Sequence, residues 1–271
     1  MSSDPAHPDS VVLPEVIRFS VTDIMGLEEL EANYSELRAA LAEALATEVE
    51  FVPVDDQVAG AVLLKDGQID LALVGPSEYV VIQARTNAVP VIGITRPNYR
   101  SVLATKAESE VKAIADLKSK TLALSDVGST SGHLGPIAML MAAGLDPQQD
   151  LTVEMLGDDG SMAALRSGQV EAWGGSLTDY EDMSQDAPEQ FVILQSGPLL
   201  PSDVFIAGSH LAADVVTAIQ AKMLANEAAL TTAIATHERK YEGSTLKVTQ
   251  DQDYDPIRAA YSAIGQGSFL N

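Results

Sequence analysis

A chain of 271 residues with 46% hydrophobic residues is long enough to bury a large core and to form two lobes. The absence of cysteine excludes disulfides and thiolate chemistry, and the four histidines show no metal-ligand spacing. A net charge of −23 disfavours nucleic acid and anionic lipid as partners, and no apolar run is long enough to span a bilayer.

The first ten residues are polar and lack the basic and apolar regions of a signal peptide, so we expect a disordered lead-in there. Beyond them, short apolar runs alternate with segments of helical periodicity. The predicted strands are 16–21, 49–54, 69–74, 89–95, 102–105, 121–124, 151–155, 170–173, 191–194 and 204–207. The predicted helices are 27–45, 58–64, 78–85, 114–117, a segment between Ser129 and Gly144, 162–166, 214–235 and 257–264.

This alternation favours an α/β fold with mostly parallel, doubly wound sheets. The pattern starts again after Arg100, which predicts two lobes. We expect lobe one to contain 11–97 and 203–271, and lobe two to contain 98–202. Ligands of such folds bind at strand carboxyl ends, so the predicted site is the cleft between the lobes.

The most informative stretch is 121–144, which predicts a buried strand, a tight loop and a helix N-terminus. Three successive hydroxyl residues, Ser129, Thr130 and Ser131, lie at the start of that helix between Gly128 and Gly132. Free backbone N–H groups and the positive end of the helix dipole favour an anion at such a place.

A plain helix cap is the alternative for these hydroxyls, although three of them exceed what a cap needs. A Walker A loop is excluded because the stretch contains no lysine. A nucleophile elbow is excluded because Thr130, and not a serine, lies at the centre of Gly-Ser-Thr-Ser-Gly.

Five segments in this order resemble the phosphonate-binding, PhnD-like branch of the periplasmic solute-binding proteins of ABC transporters. They are Gly75–Tyr79, Asn98–Val102, Ile114–Lys118, Asp126–Gly132 and Pro198–Asp203. The resemblance covers about 16–210. It implies a type II binding protein with two lobes that closes on its ligand and delivers it to a membrane permease, without enzymatic activity, cofactor or metal.

The resemblance also implies roles for single residues. The family's anion lies on the Ser-Thr-Ser helix N-terminus, which matches Ser129, Thr130 and Ser131. A tyrosine of the crossover segment matches Tyr99, and a tyrosine common after Gly-Pro matches Tyr79. The aspartate of the Pro-Ser-Asp turn matches Asp203. His133, in the first turn of the helix, is a further candidate ligand contact.

Two positions depart from the members that bind aminoalkyl phosphonates. Those members carry a histidine where this chain has Asp158 and a glutamate where it has Thr178. We therefore predict poor binding of 2-aminoethylphosphonate. The carboxylate of Asp203 would repel an anionic ligand unless that ligand carries a proton and donates it in a hydrogen bond to the carboxylate. The need for a protonated ligand favours phosphite or methylphosphonate. We expect Tyr99 and Trp173 to enclose the face of that ligand that carries no oxygen.

Structural roles remain alternatives for several of these residues. Tyr99 suits a core or hinge position, and Trp173 suits packing at a strand end. Asp203 could stabilise its own turn. Asp158 could lie in a solvated loop, and His133 could be a surface cap.

The sequence as a whole predicts the binding component of an ABC importer for a small phosphorus oxyanion such as phosphite, phosphate or a short phosphonate. Its expected partners are that ligand and the permease, with no nucleic acid. We expect a monomer in the periplasm or another extracytoplasmic compartment. The alternatives are an α/β enzyme that handles phosphate and a ligand-sensing module of the same fold.

Overall fold

A computed structural model describes residues 11–22, 26–54, 57–265 and 267, so the predicted lead-in at 1–10 lies outside the described residues. The strands are β1 Val16–Val21, β2 Glu48–Phe51, β3 Leu71–Val74, β4 Val89–Ile94, β5 Arg100–Lys106, β6 Thr121–Leu124, β7 Thr152–Met155, β8 Ala172–Ser176, β9 Phe191–Leu199, β10 Asp203–Ala207 and β11 Leu246–Lys247. The α-helices are α1 Leu27–Leu45, α2 Gln57–Lys65, α3 Pro76–Thr86, α4 Gly135–Ala142, α5 Gly157–Ser167, α6 Leu177–Ser184, α7 Ala213–Ala225, α8 Glu227–Ala235 and α9 Asp255–Ala263. No helix in the described ranges is both long and apolar enough to cross a membrane.

The chain divides into two compact units. Within the described residues, the first unit contains 11–97 and 201–255, and the second contains 98–200 and 256–267. The prediction that the chain from 203 to its end belongs to one lobe is therefore wrong for 256–267. The reason is apolar packing, because Ile264, just beyond α9, packs against the core of the second unit.

The first unit has one six-stranded sheet in the order β11-β4-β10-β3-β1-β2. β1 is parallel to β2 and β3, whereas β10 is antiparallel to β3 and β4, and β11 is antiparallel to β4. The sheet is thus mixed, and the prediction of a mostly parallel sheet is wrong for this unit. β10 inserts between β3 and β4, a long-range pairing that local periodicity does not reveal.

The core of the first unit follows from the periodicity of α1. Its buried residues recur three and four positions apart and so form one apolar face. That face packs on the side of β1 that carries Ile17, Phe19 and Val21. Because side chains alternate along a strand, Ser20 and Thr22 point to the opposite face, where both are fully buried.

The second unit has one five-stranded sheet in the order β7-β6-β8-β5-β9. β6 is parallel to β7 and β8, and β5 is antiparallel to β8 and β9. Apolar clusters cover both faces of the sheet, and β8 is buried along its whole length. Three parallel strand ends therefore lie at one edge of a sheet that is shielded on both faces.

Several predicted elements have different bounds in the structure. The predicted helix 214–235 is two helices, α7 and α8, which meet at Asn226. β9 continues to Leu199, so Pro198 belongs to a strand and not to a connection. Helix α6 was not predicted, and α5 begins at Gly157, five residues before the predicted start.

Candidate functional site

The carboxyl edge of the second unit's sheet collects many of the predicted site residues. The ends of parallel strands β6, β7 and β8 lie at the same edge, and β5 begins there because Ser101 pairs with Ser176. The residues that follow or precede these strand ends are Tyr99, Ser129, Thr130, Ser131, His133, Asp158 and Thr178. Topology thus places these seven candidates on one side of one unit.

The hydroxyl residues form a helix N-terminus, as the sequence predicts, but with a wide first turn. Ser129 is the N-cap of a π-helical turn, Thr130–Leu134, which continues into α4. The Ser129 hydroxyl accepts a hydrogen bond from Gly132 N–H at 3.1 Å. Its carbonyl accepts from the N–H groups of His133 and Leu134. The capping alternative is therefore correct for Ser129, and it leaves the Ser131 hydroxyl to be explained.

Two glycines let this turn lie close to the strand ends. A Cβ on Gly132 would lie 2.4 Å from Ser125 Cβ, and one on Gly135 would lie 1.9 Å from Ser101 Oγ. The close approach allows Ser101 Oγ to donate to the Ser131 carbonyl at 2.9 Å, and Ser125 N–H to donate to the Gly132 carbonyl at 3.0 Å. The strand ends thereby fix the orientation of Ser131.

Ser131 has hydrogen-bonding groups without partners. It is 8% exposed, yet neither its N–H nor its hydroxyl forms a hydrogen bond to any described residue. The first turn contains no acidic residue. Buried donors are costly when unpaired, and donors at a helix N-terminus suit a negatively charged guest. The local chemistry therefore favours an anion at Ser131.

His133 supports the loop that precedes the turn. Gly128 N–H donates to His133 Nδ1 at 3.0 Å, and the imidazole is buried. Burial lowers the pKa of His133 below its ordinary value of 6.5, so the ring is neutral at neutral pH. With Nδ1 accepting, the ring proton lies on Nε2. The alternative that His133 is a surface cap is wrong, because the side chain is buried.

Asp158 and Thr178 each lie in the first turn of a helix and not in a loop. Asp158 is an exposed residue of α5, and its Oδ1 accepts a hydrogen bond from the buried hydroxyl of Ser125. Thr178 is a half-buried residue of α6, whose N-cap is Ser176. Asp158 therefore does not lie in a solvated loop: it belongs to α5 and accepts a hydrogen bond from Ser125.

Trp173 and Tyr99 are both buried. Trp173 is 2% exposed, belongs to an apolar cluster of the second unit, and donates from Nε1 to Ser161 Oγ at 3.0 Å. These contacts support the packing role for Trp173. Tyr99 precedes β5, and its carbonyl accepts from Leu200 N–H.

The remaining two candidates, Tyr79 and Asp203, lie in the first unit. Tyr79 is fully buried and donates from its hydroxyl to Asp251 Oδ1 at 2.6 Å. Asp203 is 3% exposed, and its Oδ2 accepts from the Tyr241 hydroxyl at 2.7 Å. Arg96 Nη1 lies 3.8 Å from Asp203 Oδ1. The internal partner of Tyr79 supports a structural role for that residue. The buried Asp203 Oδ1 forms no hydrogen bond with any described residue, so Asp203 stays a candidate ligand contact.

Four residues that shape these two regions were not among the candidates predicted from the sequence: Ser125, Ser101, Arg96 and Tyr241. Ser125 directly follows a buried strand, a position that could have marked it as a candidate. Ser101, Arg96 and Tyr241 have no comparable local signal, because their partners are 30 or more residues away.

Comparison with known proteins places the chain in a family. The model of the family described as "ABC transporter, phosphonate, periplasmic substrate-binding protein" matches residues 19–254. The phosphate-import protein PhnD of Mycolicibacterium smegmatis is 25% identical over an alignment of 293 residues, which covers 97% of this chain and 90% of that protein.

Solved structures show the same fold at low sequence identity. PhnD1 from Prochlorococcus marinus, in complex with methylphosphonate, is similar with a TM-score of 0.71 and 15% identity, covering 93% of this chain and 99% of that one. The aliphatic sulphonate binding protein SsuA from Escherichia coli is similar with a TM-score of 0.66 and 18% identity, covering 95% and 94%. The predicted type II binding-protein fold with two lobes is confirmed.

The family match spans most of the described residues and includes the hydroxyl turn and its supporting strands. Members of this family bind a small ligand outside the cytoplasm and present it to a membrane permease. The chain belongs to the periplasmic substrate-binding proteins of phosphonate ABC transporters.

Proposed function

We propose that this protein binds a small phosphorus oxyanion on the Ser129–Ser131 turn and, as a monomer, delivers it to the permease of an ABC importer. The observation that carries the proposal is the pair of unpartnered donors on Ser131, held at a helix N-terminus without acidic residues. Two relatives support the ligand class, since one is titled a phosphate-import protein and the structure of another is titled as a complex with methylphosphonate.

Within this class we favour compact ligands without an ammonium group. Thr178 carries no charge, and the Asp203 carboxylate already has Tyr241 and Arg96 as partners inside the first unit. An ammonium on the ligand would lose its hydration, would find no charge at Thr178 and would compete with the Arg96 guanidinium at Asp203. Phosphite and methylphosphonate are therefore preferred to 2-aminoethylphosphonate. Transport is preferred to an enzymatic function because the matching family consists of transport components.

Calorimetry with phosphite, methylphosphonate, phosphate and 2-aminoethylphosphonate tests the proposal directly. Ser131→Ala should weaken binding of the best ligand by about tenfold, the value of a charge-assisted hydrogen bond. Ser20→Ala is the matched control, since Ser20 is another buried serine whose hydroxyl has no hydrogen-bond partner among the described residues. Equal losses in the two variants, or tightest binding of the amino compound, would contradict the proposal.

A further inference from the structure

Arg100, the first residue of β5, is a half-buried arginine whose guanidinium is unpartnered within the described ranges. Its Nε is buried without a hydrogen bond, and no described residue forms an ion pair with it. By contrast, the half-buried Arg18 pairs with Asp70 at 2.6 Å, and Arg96 lies 3.8 Å from Asp203. A buried donor without a partner is costly, so the unpaired state of Arg100 needs an explanation.

The surroundings of Arg100 make an unpaired cation unusual. The chain contains 39 aspartates and glutamates but only 16 lysines and arginines, so acidic partners are plentiful. At the same edge of the second unit's sheet, Asp158 lies in the first turn of α5 and Asp179 in the first turn of α6. The segments at the strand ends contain a single lysine or arginine, Arg100; these segments are 98–101, 125–133, 156–161 and 176–180.

Arg100 directly precedes the residue that supports the anion-binding turn. Ser101 Oγ donates to the Ser131 carbonyl at 2.9 Å, and Ser101 pairs with Ser176, the N-cap of α6. Because side chains alternate along a strand, Arg100 points to the opposite face of the sheet, on which Val102 packs. The guanidinium is therefore near the turn but separated from it by β5, so its charge acts through space and not through a direct hydrogen bond.

An unpaired charge in this place has a use that a paired one would not have. The net charge of −23 repels anions from the surface as a whole. A positive charge near the turn opposes that repulsion over distances up to a Debye length, which is about 10 Å at 0.1 M salt. An acidic partner for Arg100 would cancel the attraction. The lack of such a partner is thus what an anion site in an acidic protein requires.

We propose that Arg100 is an electrostatic binding residue, whose unpaired guanidinium raises the affinity of the second unit for small oxyanions against the repulsion of an acidic surface. The inference rests on the proposed function and names a residue that favours charged over neutral ligands at the same turn. The positive charge of Arg100, and not the shape of its guanidinium, is the property that counts, because β5 separates the side chain from the turn.

The test is calorimetry with methylphosphonate on the wild type, Arg100→Met, Arg100→Lys and Arg166→Met. Arg166 is the matched control, since it belongs to the same unit and its guanidinium donates to the Met183 carbonyl at 2.8 Å. At about 0.01 M salt, we expect Arg100→Met to bind about threefold to tenfold more weakly than the wild type. Arg100→Lys should retain most of the affinity, and Arg166→Met should change it by less than about twofold.

Salt and stability separate this role from a structural one. The loss in Arg100→Met should shrink at about 1 M salt, where the Debye length falls to about 3 Å. Urea unfolding should show Arg100→Met to be at least as stable as the wild type, because the substitution removes a buried donor that has no partner among the described residues. A structural arginine would give the opposite result, with lower stability and a loss of affinity that does not depend on salt.

Four outcomes would overturn the assignment of Arg100 while the proposed function stands. They are wild-type affinity in Arg100→Met at low salt, an equal loss in Arg166→Met, an equal loss in Arg100→Lys, and a loss in Arg100→Met that salt does not change. If the wild type binds neither methylphosphonate nor another phosphorus oxyanion, the proposed function itself fails.

Discussion

Each unit contains a strand that is followed, after a short loop, by a helix, and the two helix N-termini differ in their capping groups. In the first unit β3 leads into α3 at Gly75, and the Gly75 N–H donates to Glu78 Oε2 at 2.8 Å. Pro76, the first residue of α3, has no N–H to offer. At this helix N-terminus the N–H of position 76 is absent, and the Gly75 N–H is already bound to the carboxylate of Glu78.

In the second unit the same kind of junction has hydroxyls instead of an acid. Ser129 Oγ is the capping group, Thr130 is the first helical residue, and Ser131 keeps its N–H and hydroxyl unpartnered within the described ranges. The comparison shows that topology alone does not create an anion site. A glutamate in the first turn offsets the positive potential of the helix N-terminus. A serine at the N-cap carries no charge, so the positive potential of that helix N-terminus can still attract an anion.

The largest effect is expected from making the second junction resemble the first. Thr130→Pro places proline at the first helical position, as Pro76 does in α3, and removes a backbone N–H. Ser129 has ψ of 129°, a conformation that a following proline permits. We expect the protein to fold and calorimetry to show a loss of oxyanion affinity on the order of 100-fold, or about 2.7 kcal/mol.

Thr130→Ala is the control for this variant, since it removes the hydroxyl but keeps the N–H. It should lose far less affinity than Thr130→Pro, and circular dichroism should show the same helix content for both. Equal affinity in the proline variant and the wild type would place the ligand elsewhere.

A finer comparison separates the two serines of the turn. Ser129→Ala removes the cap, so urea unfolding should show a loss of about 1 kcal/mol in stability. Ser131→Ala removes a hydroxyl that has no partner among the described residues, so its unfolding free energy should stay near that of the wild type. Both variants should weaken oxyanion binding, each by about 1 kcal/mol or slightly more. An equal loss of stability in both would show that Ser131 is also structural.

The local part of this architecture was predictable from the sequence. β1, α1 and β6 have the predicted bounds, because their apolar periodicity is strong and undisturbed. The hydroxyl turn was also predictable, since its signal lies in five consecutive residues. Proline at position 198 concealed the end of β9, yet β9 is an edge strand, where a missing N–H is tolerated.

The long-range part was not predictable from one sequence. The contact of Ser125 with Asp158 joins residues 33 positions apart, and that of Tyr241 with Asp203 joins residues 38 positions apart. Neither residue type nor periodicity specifies such pairs. α6 was missed for a different reason, since its eight residues are too few to show an apolar periodicity of their own.

A smaller effect is expected at the first junction. Glu78→Ala removes the acceptor of the Gly75 N–H and a favourable charge at a helix N-terminus, which together contribute about 1 kcal/mol to stability. Glu78→Gln keeps an acceptor and should lose less. Urea unfolding measures the difference, and neither variant should change oxyanion affinity by more than about threefold. A large affinity change in Glu78→Gln would mean that the charge of this junction matters for binding after all.

The smallest expected effect concerns the acceptors of the two glycine N–H groups. The Gly75 N–H bonds to a charged carboxylate, whereas the Gly128 N–H bonds to the neutral imidazole of His133. Protonation of His133 would remove the lone pair on Nδ1 that accepts this bond. Burial lowers the pKa of His133 below 6.5, so the unfolded chain binds this proton more readily than the folded protein. The contribution of His133 to stability is therefore fully present above about pH 6.5 and is lost as pH falls towards the folded pKa.

His133→Asn isolates that contribution, because the amide oxygen can accept from Gly128 N–H at a similar position and does not titrate. Urea unfolding of both proteins between about pH 5 and about pH 8 should give parallel stabilities above about pH 7. Below about pH 6.5 the wild type should lose stability relative to the variant, with a slope below the limit of about 1.4 kcal/mol per pH unit for one proton. Curves that stay parallel to about pH 5 would show that His133 protonates without cost. The loop at Gly128 would then depend on other contacts, such as that with the nearby hydroxyl of Tyr261, which a Cβ on Gly128 would approach to 3.4 Å.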